Sequence, residues 1–324
     1  MSKDIISIIV PCHNEEEMVP IFHKEIAAVS DQLPDATIEL IFVNDGSKDD
    51  TLAKMKQVAA LDERVHYLSF SRNFGKEAAL VAGLRHATGD YVAVMDADLQ
   101  DPPEMLVEMF ALIRTGEYDC IGTKRIDRKG EPPIRSFFAR QFYQLINRIS
   151  DTEIVDGARD YRLMTRQMVD AVLEMTEYNR FSKGIFSWVG FETKYLPYEN
   201  QERVAGQTTW SFWSLFKYSL DGIVAFSEAP LAIAALTGVL SFAVAILGAL
   251  IIVVRTLVFG NETSGGTSLI VIILGMGGLQ LLCLGILGKY LGKTFMETKR
   301  RPLYILKETD GALPTGRKEE QNDD

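Results

Sequence analysis

Positive charge is in short supply: 34 Lys and Arg stand against 44 Asp and Glu, a net charge of −10 over 324 residues. A nucleic-acid binder carries a basic footprint, so nucleic acid is excluded as a partner. Cysteine is scarce too. Cys12, Cys120 and Cys283 stand far apart, with no Cys-x-x-Cys and no His-x-x-x-His spacing. That pattern excludes a disulfide framework and a zinc site, and it reads as reduced thiols facing a reducing cytosol. No Gly-x-Gly-x-x-Gly follows the first apolar run, which excludes a dinucleotide-dependent oxidoreductase. No secretory leader is expected, since Ile5–Val10 behind Asp4 is too short for one, and the soluble part should remain cytoplasmic. The last shortage is local: charge nearly vanishes across residues 229–293.

What is present begins as an alternation. The apolar runs Ile5–Val10, Ile38–Val43, Val65–Phe70 and Tyr91–Met95 are separated by amphipathic stretches, one an Ala-rich helix over 76–87. Such repetition predicts right-handed βαβ units and an α/β domain on a mostly parallel sheet. Asn14, with Glu17 three residues on, reads as a capping box for a helix turning Val19, Phe22 and Ile26 inward. Parallel sheets bind ligands beyond the carboxyl ends of their strands. Polar clusters fall at those ends here: His13-Asn14-Glu15, Asn44-Asp45 and Asp96-Ala97-Asp98.

Beyond about residue 123 the alternation is lost. Residues 134–149 and 211–226 mix aromatic and basic side chains at helical spacing. They suit core helices with a solvated face or, better, helices lying at a membrane surface. Pro230–Val254 and Thr263–Gly288 carry no charge, and each can cross the ~30 Å hydrocarbon core. Soluble helices are rarely apolar all round. A polar turn, Phe259–Gly266 with Glu262, separates the two, and Lys289, Lys293, Lys299, Arg300 and Arg301 follow. The positive-inside rule puts both termini in the cytoplasm, with Arg255 snorkelling. The expected organisation is a soluble domain over 1–228, a two-helix transmembrane hairpin over 229–293 (helices near 230–256 and 267–290) and a tail over 294–324. From Glu308 the tail is expected to be disordered. Gly275, Gly277, Gly278 and Gly285 permit close helix packing, and a homo-oligomer is expected.

Asp96 and Asp98 are the residues best suited to chemistry. Two carboxylates at alternate positions behind a strand can share Mg²⁺ or Mn²⁺, which keeps its other positions for water and phosphate. A leaving diphosphate needs such a cation as charge gathers on its oxygens. A plain turn ahead of Pro102-Pro103 would look similar, but the sheet's ligand edge favours the metal. Asp45, in Asn44-Asp45-Gly46-Ser47, either closes a turn or accepts from a base N–H or a ribose hydroxyl. Arg72 and Lys76 offer cations to phosphate or to the carboxylates. His23, His66 and His86 lie on amphipathic segments without evident partners and read as structural.

Pro11–Glu17 (PCHNEEE), Val43–Thr51 (VNDGSKDDT), Ser71–Leu80 (SRNFGKEAAL) and Met95–Glu104 (MDADLQDPPE), in this order, resemble the signatures of family 2 glycosyltransferases with the Rossmann-like GT-A fold. Gly122–Glu131, Arg159–Arg166, Asn179–Phe191, Arg203–Trp210 and the two-span anchor resemble its polyprenyl-phosphate branch. That branch holds dolichyl-phosphate mannose synthases and bacterial undecaprenyl-phosphate glucosyl- or N-acetylglucosaminyltransferases. The likeness runs over about residues 5–301. It implies a metal-dependent, inverting hexosyltransferase of the bacterial plasma membrane. Its substrates would be a nucleotide-sugar, UDP-glucose or UDP-N-acetylglucosamine, and undecaprenyl phosphate, and its product would serve cell-surface glycan modification.

Position by position, the resemblance implies that Pro11, His13, Glu15, Val43 and Asp45 hold the nucleoside. Asp96, Ala97 and Asp98 would hold ribose and diphosphate, with Asp98, Gln100 and Asp96 on the metal. Arg125, Arg203 and, less directly, Arg135 resemble arginines that clamp donor or lipid phosphate, a task suited to a permanently charged fork. Asp160 matches an acid discussed as a base. A lipid phosphate is already anionic at neutral pH, so a positioner of Arg159, Arg162 or sugar hydroxyls is the preferred role. Tyr178, Arg180 and Phe181 would shape the sugar pocket. Trp210, Phe212 and Trp213 would either line a lipid entry or pack in the ordinary way. His13 stands where the family usually has Tyr, and Thr209 where many members have Lys, for which Lys217 or Lys183 could compensate. A processive polysaccharide synthase is the rival enzyme, but Gln-x-x-Arg-Trp is missing and two spans make no channel. The rival without catalysis is an inert membrane scaffold, against which the intact Asp96, Asp98 and Gln100 argue.

Overall fold

The computed structural model describes residues 3–126, 147–148, 155, 157–198, 222–225, 227–259 and 266–311. Almost all of the two surface-helix stretches, Arg135, Arg203, Thr209, Trp210, Phe212, Trp213 and Lys217, and the tail after 311, lie outside the described residues.

The alternation expected from the apolar runs is observed. β1 (Asp4–Cys12), α1 (Met18–Ser30), β2 (Ala36–Asn44), α2 (Thr51–Leu61), β3 (Val65–Phe70), α3 (Lys76–His86) and β4 (Tyr91–Val94) follow one another. Next come α4 (Met105–Ile113), β5 (Cys120–Arg125), β6 (Ala158–Thr165), α5 (Arg166–Glu174), α6 (Ser182–Trp188) and β7 (Thr193–Tyr198). Two long helices, α7 (Ala229–Phe259) and α8 (Gly266–Thr298), precede a short β8 (Leu306–Thr309).

The strands form one sheet in the order β7-β5-β6-β4-β1-β2-β3-β8. Side chains alternate across it. Ile6, Ile8, Val10, Leu40 and Phe42 face α1, α2 and α4, while Ile9, Ile41, Leu68, Val92 and Met164 face α3, α5 and α6. Burial on both faces explains why the strand sequences are apolar runs rather than alternating ones. β1 lies parallel between β2 and β4, so strand order reverses there and a crevice opens beyond the carboxyl ends. β6 runs antiparallel to both β4 and β5. Its first residues therefore return to the edge at which β4 and β5 end.

Three expectations need correction. Asn14 is not a helix cap, because α1 begins at Met18 without a side-chain cap. Asn14 instead has φ of 58°, takes Ser47 Oγ on its N–H at 3.0 Å, and accepts from Lys48 N at 3.0 Å. Its polar groups tie the loop after β1 to the loop after β2. The tail is not loose from Glu308, since β8 pairs antiparallel with β3. Tyr304 stacks on Phe70 with centroids 5.1 Å apart, and Glu308 pairs with Lys56. An edge strand that would otherwise present bare N–H and C=O groups is thus covered. Finally, His23, His66 and His86 do have partners: Asp62, Asp310 and the carbonyl of Ala82.

α7 and α8 contain apolar stretches, Ala229–Val258 and Ile272–Thr298, with mean hydropathy 2.6 and 1.7 and no burial inside the protein. They are neither core helices nor an N-terminal leader. With Leu247, Ile251, Leu274 and Leu282 exposed, both helices are long and apolar enough to cross a membrane.

Candidate active site

The loops after β1, β2 and β4 and the start of β6 meet at one edge of the sheet. Pro11 pairs with Val43 in the β1–β2 register, so these two predicted nucleoside contacts sit side by side. Beyond them lies Asp45, 4% exposed. Its two oxygens accept from the backbone amides of Phe74 and Gly75 at 2.6 and 2.9 Å. Burial raises the Asp45 carboxyl above its ordinary range, against the pull of those amides and of His13 and Arg72. His13 Nδ1 donates to the Asp45 carbonyl at 2.9 Å, and Glu15 N donates to Thr51 Oγ1 at 2.8 Å. Gly46 allows this closeness: its φ is +64°, and a Cβ there would lie 2.3 Å from the Arg72 carbonyl carbon. Asp45 thus binds the loop after β3 to the loop after β2, a role not read from the sequence.

β4 ends at Val94, which pairs with Arg162 of β6. Continuing that antiparallel register brings Asp96 toward Asp160. The ammonium of Lys76, at the start of α3, closes the gap: it lies 2.5 Å from Asp96 Oδ1 and also pairs with Asp160 Oδ2. Burial alone would raise Asp160. The charge of Lys76, with Lys183 and Arg162 behind it, instead holds its carboxyl well below the carboxylate range. Burial likewise opposes the Lys76 charge, yet Asp160 and Asp96 together raise its pKa. Lys76 was expected to partner phosphate or carboxylates, and here it partners carboxylates. Asp160 was expected to position Arg159, Arg162 or the sugar hydroxyls; its carboxylate pairs with Lys76, while the guanidinium of Arg162 donates to the backbone carbonyls of Arg159 and Asp160 and stacks 3.9 Å over Phe186.

Next along the β4 loop, Ala97 is buried and Asp98 is 8% exposed, with its Oδ1 accepting from Gln100 N at 3.3 Å. Leu99 has φ of 53°, a conformation that costs about 1 kcal/mol or more and tends to gather at ligand sites. Asp101 is 4% exposed. Its Oδ1 accepts from Arg159 Nε at 3.2 Å and from the Tyr198 hydroxyl, while Oδ2 is buried without a hydrogen-bond partner among the described residues. Burial raises Asp101, and Arg159 and Tyr198 oppose it. Arg159 Nη2 also reaches Gln100 Oε1 at 3.5 Å. The third acid of Asp96–Asp101 was a signal that could have been used; nothing in the sequence pointed to Tyr198.

The donor chemistry fits a hard divalent cation: Asp96, Asp98 and the amide oxygen of Gln100 are all oxygen ligands on one loop. Among the described residues no three His, Cys, Asp or Glu side chains converge into a preformed cage. A cation held here would therefore complete its shell from phosphate and water. Arg125 ends β5 at the same edge, with its amide on the carbonyl of Gly157 at 3.0 Å. Gly157 has φ of +81°, and a Cβ would sit 2.8 Å from the Arg125 carbonyl oxygen. Arg180 and Phe181, named with Tyr178 for the sugar pocket, lie in the turn between α5 and α6. Both are buried, and the Arg180 guanidinium closes the carbonyl end of α5 through Val172 and Met175.

Residues 7–173, from β1 into α5, match the profile of Glycosyl transferase family 2. The chain belongs to this family. Over 302 residues this glycosyltransferase is 43% identical to a prophage bactoprenol glucosyl transferase homolog of Escherichia coli K12, covering 93% of this chain and 98% of the relative. Over 309 residues it is 41% identical to an SfII prophage-derived bactoprenol glucosyl transferase of Shigella flexneri, covering 95% and 99%. A crystal structure of glucosyl-3-phosphoglycerate synthase from Mycobacterium tuberculosis with Mn²⁺, UDP-glucose and phosphoglyceric acid is 21% identical, with a TM-score of 0.45 over 68% of this chain and 78% of that one. The matched region contains Asp45, Asp96, Asp98, Arg125 and Asp160, and it was anticipated from the four motifs in the first half of the chain.

Proposed function

We propose that this glycosyltransferase moves glucose from UDP-glucose to undecaprenyl phosphate at the cytoplasmic face of a bacterial plasma membrane, with inversion at the anomeric carbon. The carrying observation is that Lys76 draws Asp96 and Asp160 together at one sheet edge, on whose β4 loop Asp98 also lies, in a chain that continues into two unburied apolar helices. The bactoprenol glucosyl transferases that it resembles favour this donor and acceptor over UDP-N-acetylglucosamine.

In this reading Pro11, His13, Glu15, Val43 and Asp45 receive the nucleoside. Asp96, Asp98 and Gln100 hold Mg²⁺ or Mn²⁺, which when bound neutralises charge on the departing diphosphate. Arg125, with Arg135 and Arg203, binds phosphate on the donor or the lipid. Asp160 stays ionised beside Lys76 and so acts in positioning rather than as a proton acceptor; the lipid phosphate oxygen is already anionic. That oxygen forms the new bond to the anomeric carbon as the bond to the diphosphate breaks, so an α-linked donor gives a β-linked lipid. The domain spans 1–228 and the hairpin 229–293. Lys289, Lys293, Lys299, Arg300 and Arg301 keep both termini, with the tail 294–324, in the cytoplasm. Open space around Gly275, Gly277, Gly278 and Gly285 supports packing against a second copy.

Purified protein supplied with a divalent cation is expected to move label from UDP-glucose to undecaprenyl phosphate, and chelation should stop it. Asp98→Ala should lower transfer by about 100-fold or more without changing the melting temperature. Full activity in that variant would refute the metal assignment.

A further inference from the structure

We propose that Glu297, in the last turn of α8, is a positioning residue that couples the seating of the apolar hairpin to the acceptor side of the transfer site; this rests on the function proposed above. A carboxylate is out of place there on the helix's own account, because the C-terminal end of a helix is the negative end of its dipole and favours cations. Glu297 is engaged elsewhere. It accepts from the backbone amides of Tyr178 at 2.9 Å and Asn179 at 3.0 Å, and from Asn179 Nδ2 at 3.0 Å. One helical turn earlier, the Lys293 carbonyl lies 3.5 Å from the same Asn179 Nδ2. The turn between α5 and α6 is therefore fastened to the membrane helix by charge-assisted bonds to its backbone.

The other end of this short segment is fastened to the site. Ser182 donates its amide (3.1 Å) and its hydroxyl to the carboxylate of Glu77, the neighbour of Lys76 at the start of α3. Lys183 follows, with its Nζ 3.3 Å from the Ala158 carbonyl, and its charge reaches Asp160. Residues 178–183 thus run from a membrane helix to the edge where Lys76 bridges Asp96 and Asp160, and they deliver a cation there. The donor arrives from water and is indifferent to the depth of the hairpin. The lipid phosphate is confined to the bilayer, so any slip between α8 and this segment falls on the acceptor.

The test is steady-state transfer by the full-length chain in lipid nanodiscs, with UDP-glucose and undecaprenyl phosphate varied in turn. Glu297→Ala, which removes all three accepted bonds, is expected to raise the lipid KM about tenfold or more, at least the worth of one charge-assisted bond. Donor KM and kcat at saturating lipid should stay within about twofold. Glu297→Gln, which keeps one acceptor oxygen, should show the same split at smaller size, and it decides the matter if the alanine variant does not fold. Asn179→Ala should add less in the Glu297→Ala background than alone. Unchanged lipid KM, or equal rises in both KM values, would overturn the inference while leaving the proposed function standing. A wild-type protein that transfers nothing to polyprenyl phosphate would instead remove the function reading, and this inference with it.

Discussion

Asp96 and Asp101 lie on one loop and are held in opposite ways. Asp96 keeps 28% of its side chain exposed and pairs with the ammonium of Lys76, a point charge on a flexible stem. Asp101 is 4% exposed and is gripped by the guanidinium of Arg159 from β6 and the phenol of Tyr198 from β7. A lysine can trade one carboxylate for another ligand at small cost. A buried carboxylate that loses its fork is left as an uncompensated charge. One end of the loop is therefore free to answer a ligand because the other end is fixed.

The contrast has measurable consequences. Asp96→Ala should reduce transfer by about 100-fold or more, the scale of removing one group that meets transition-state charge, while stability moves by less than about 1 kcal/mol. Asp101→Ala should do the reverse in kind. It leaves the partly buried Arg159 without its carboxylate and should cost about 1–3 kcal/mol of stability, read as a lower melting temperature, with activity per folded molecule reduced far less than in Asp96→Ala. If Asp101→Ala abolished turnover at an unchanged melting temperature, the two acids would share one role and the division drawn here would be wrong.

The same contrast explains what was legible in the sequence. Apolar runs closed by polar clusters announce β1, β2, β3 and β4, because strands buried on both faces have to be apolar throughout, and the ligand edge follows from strand direction alone. Asp45, Asp96 and Asp98 were located by that reasoning. Asp160 came from the family resemblance, since β6 reaches the edge by an antiparallel pairing that no local pattern encodes. Lys76 was visible as a cation, but its bridging of two carboxylates depends on side chains 84 residues apart. The misreadings share one cause. Asn14 has the composition of a cap, and Glu308 and Asp310 have the composition of a loose tail. Each is claimed by a distant partner: the loop after β2 for Asn14, and β3 with α2 for the terminal residues. Composition reports what a residue can do alone, and long-range pairing overrides it.

Asp62, far from the ligand edge, extends the comparison to a carboxylate with no part in the proposed chemistry. With a side chain 16% exposed, it accepts from Arg64 Nε and Nη2 at 2.9 and 2.8 Å and from His23 Nε2 at 2.9 Å. The Arg64 hydrogen bonds, against burial and with help from His23, hold its carboxyl well below the usual range. A depressed folded-state pKa contributes stability above the unfolded value, near pH 4, and loses it as pH falls further. Asp62→Asn should therefore cost about 1 kcal/mol at pH 5, with transfer unaffected. The melting-temperature gap between wild type and variant should narrow as the pH is taken below about 4, because protonation then removes from the wild type the charge that the variant already lacks. A gap that stayed constant from pH 5 to pH 3 would mean that Asn fails by shape and not by charge, and the Arg64 pairing would lose its standing as the source of the effect.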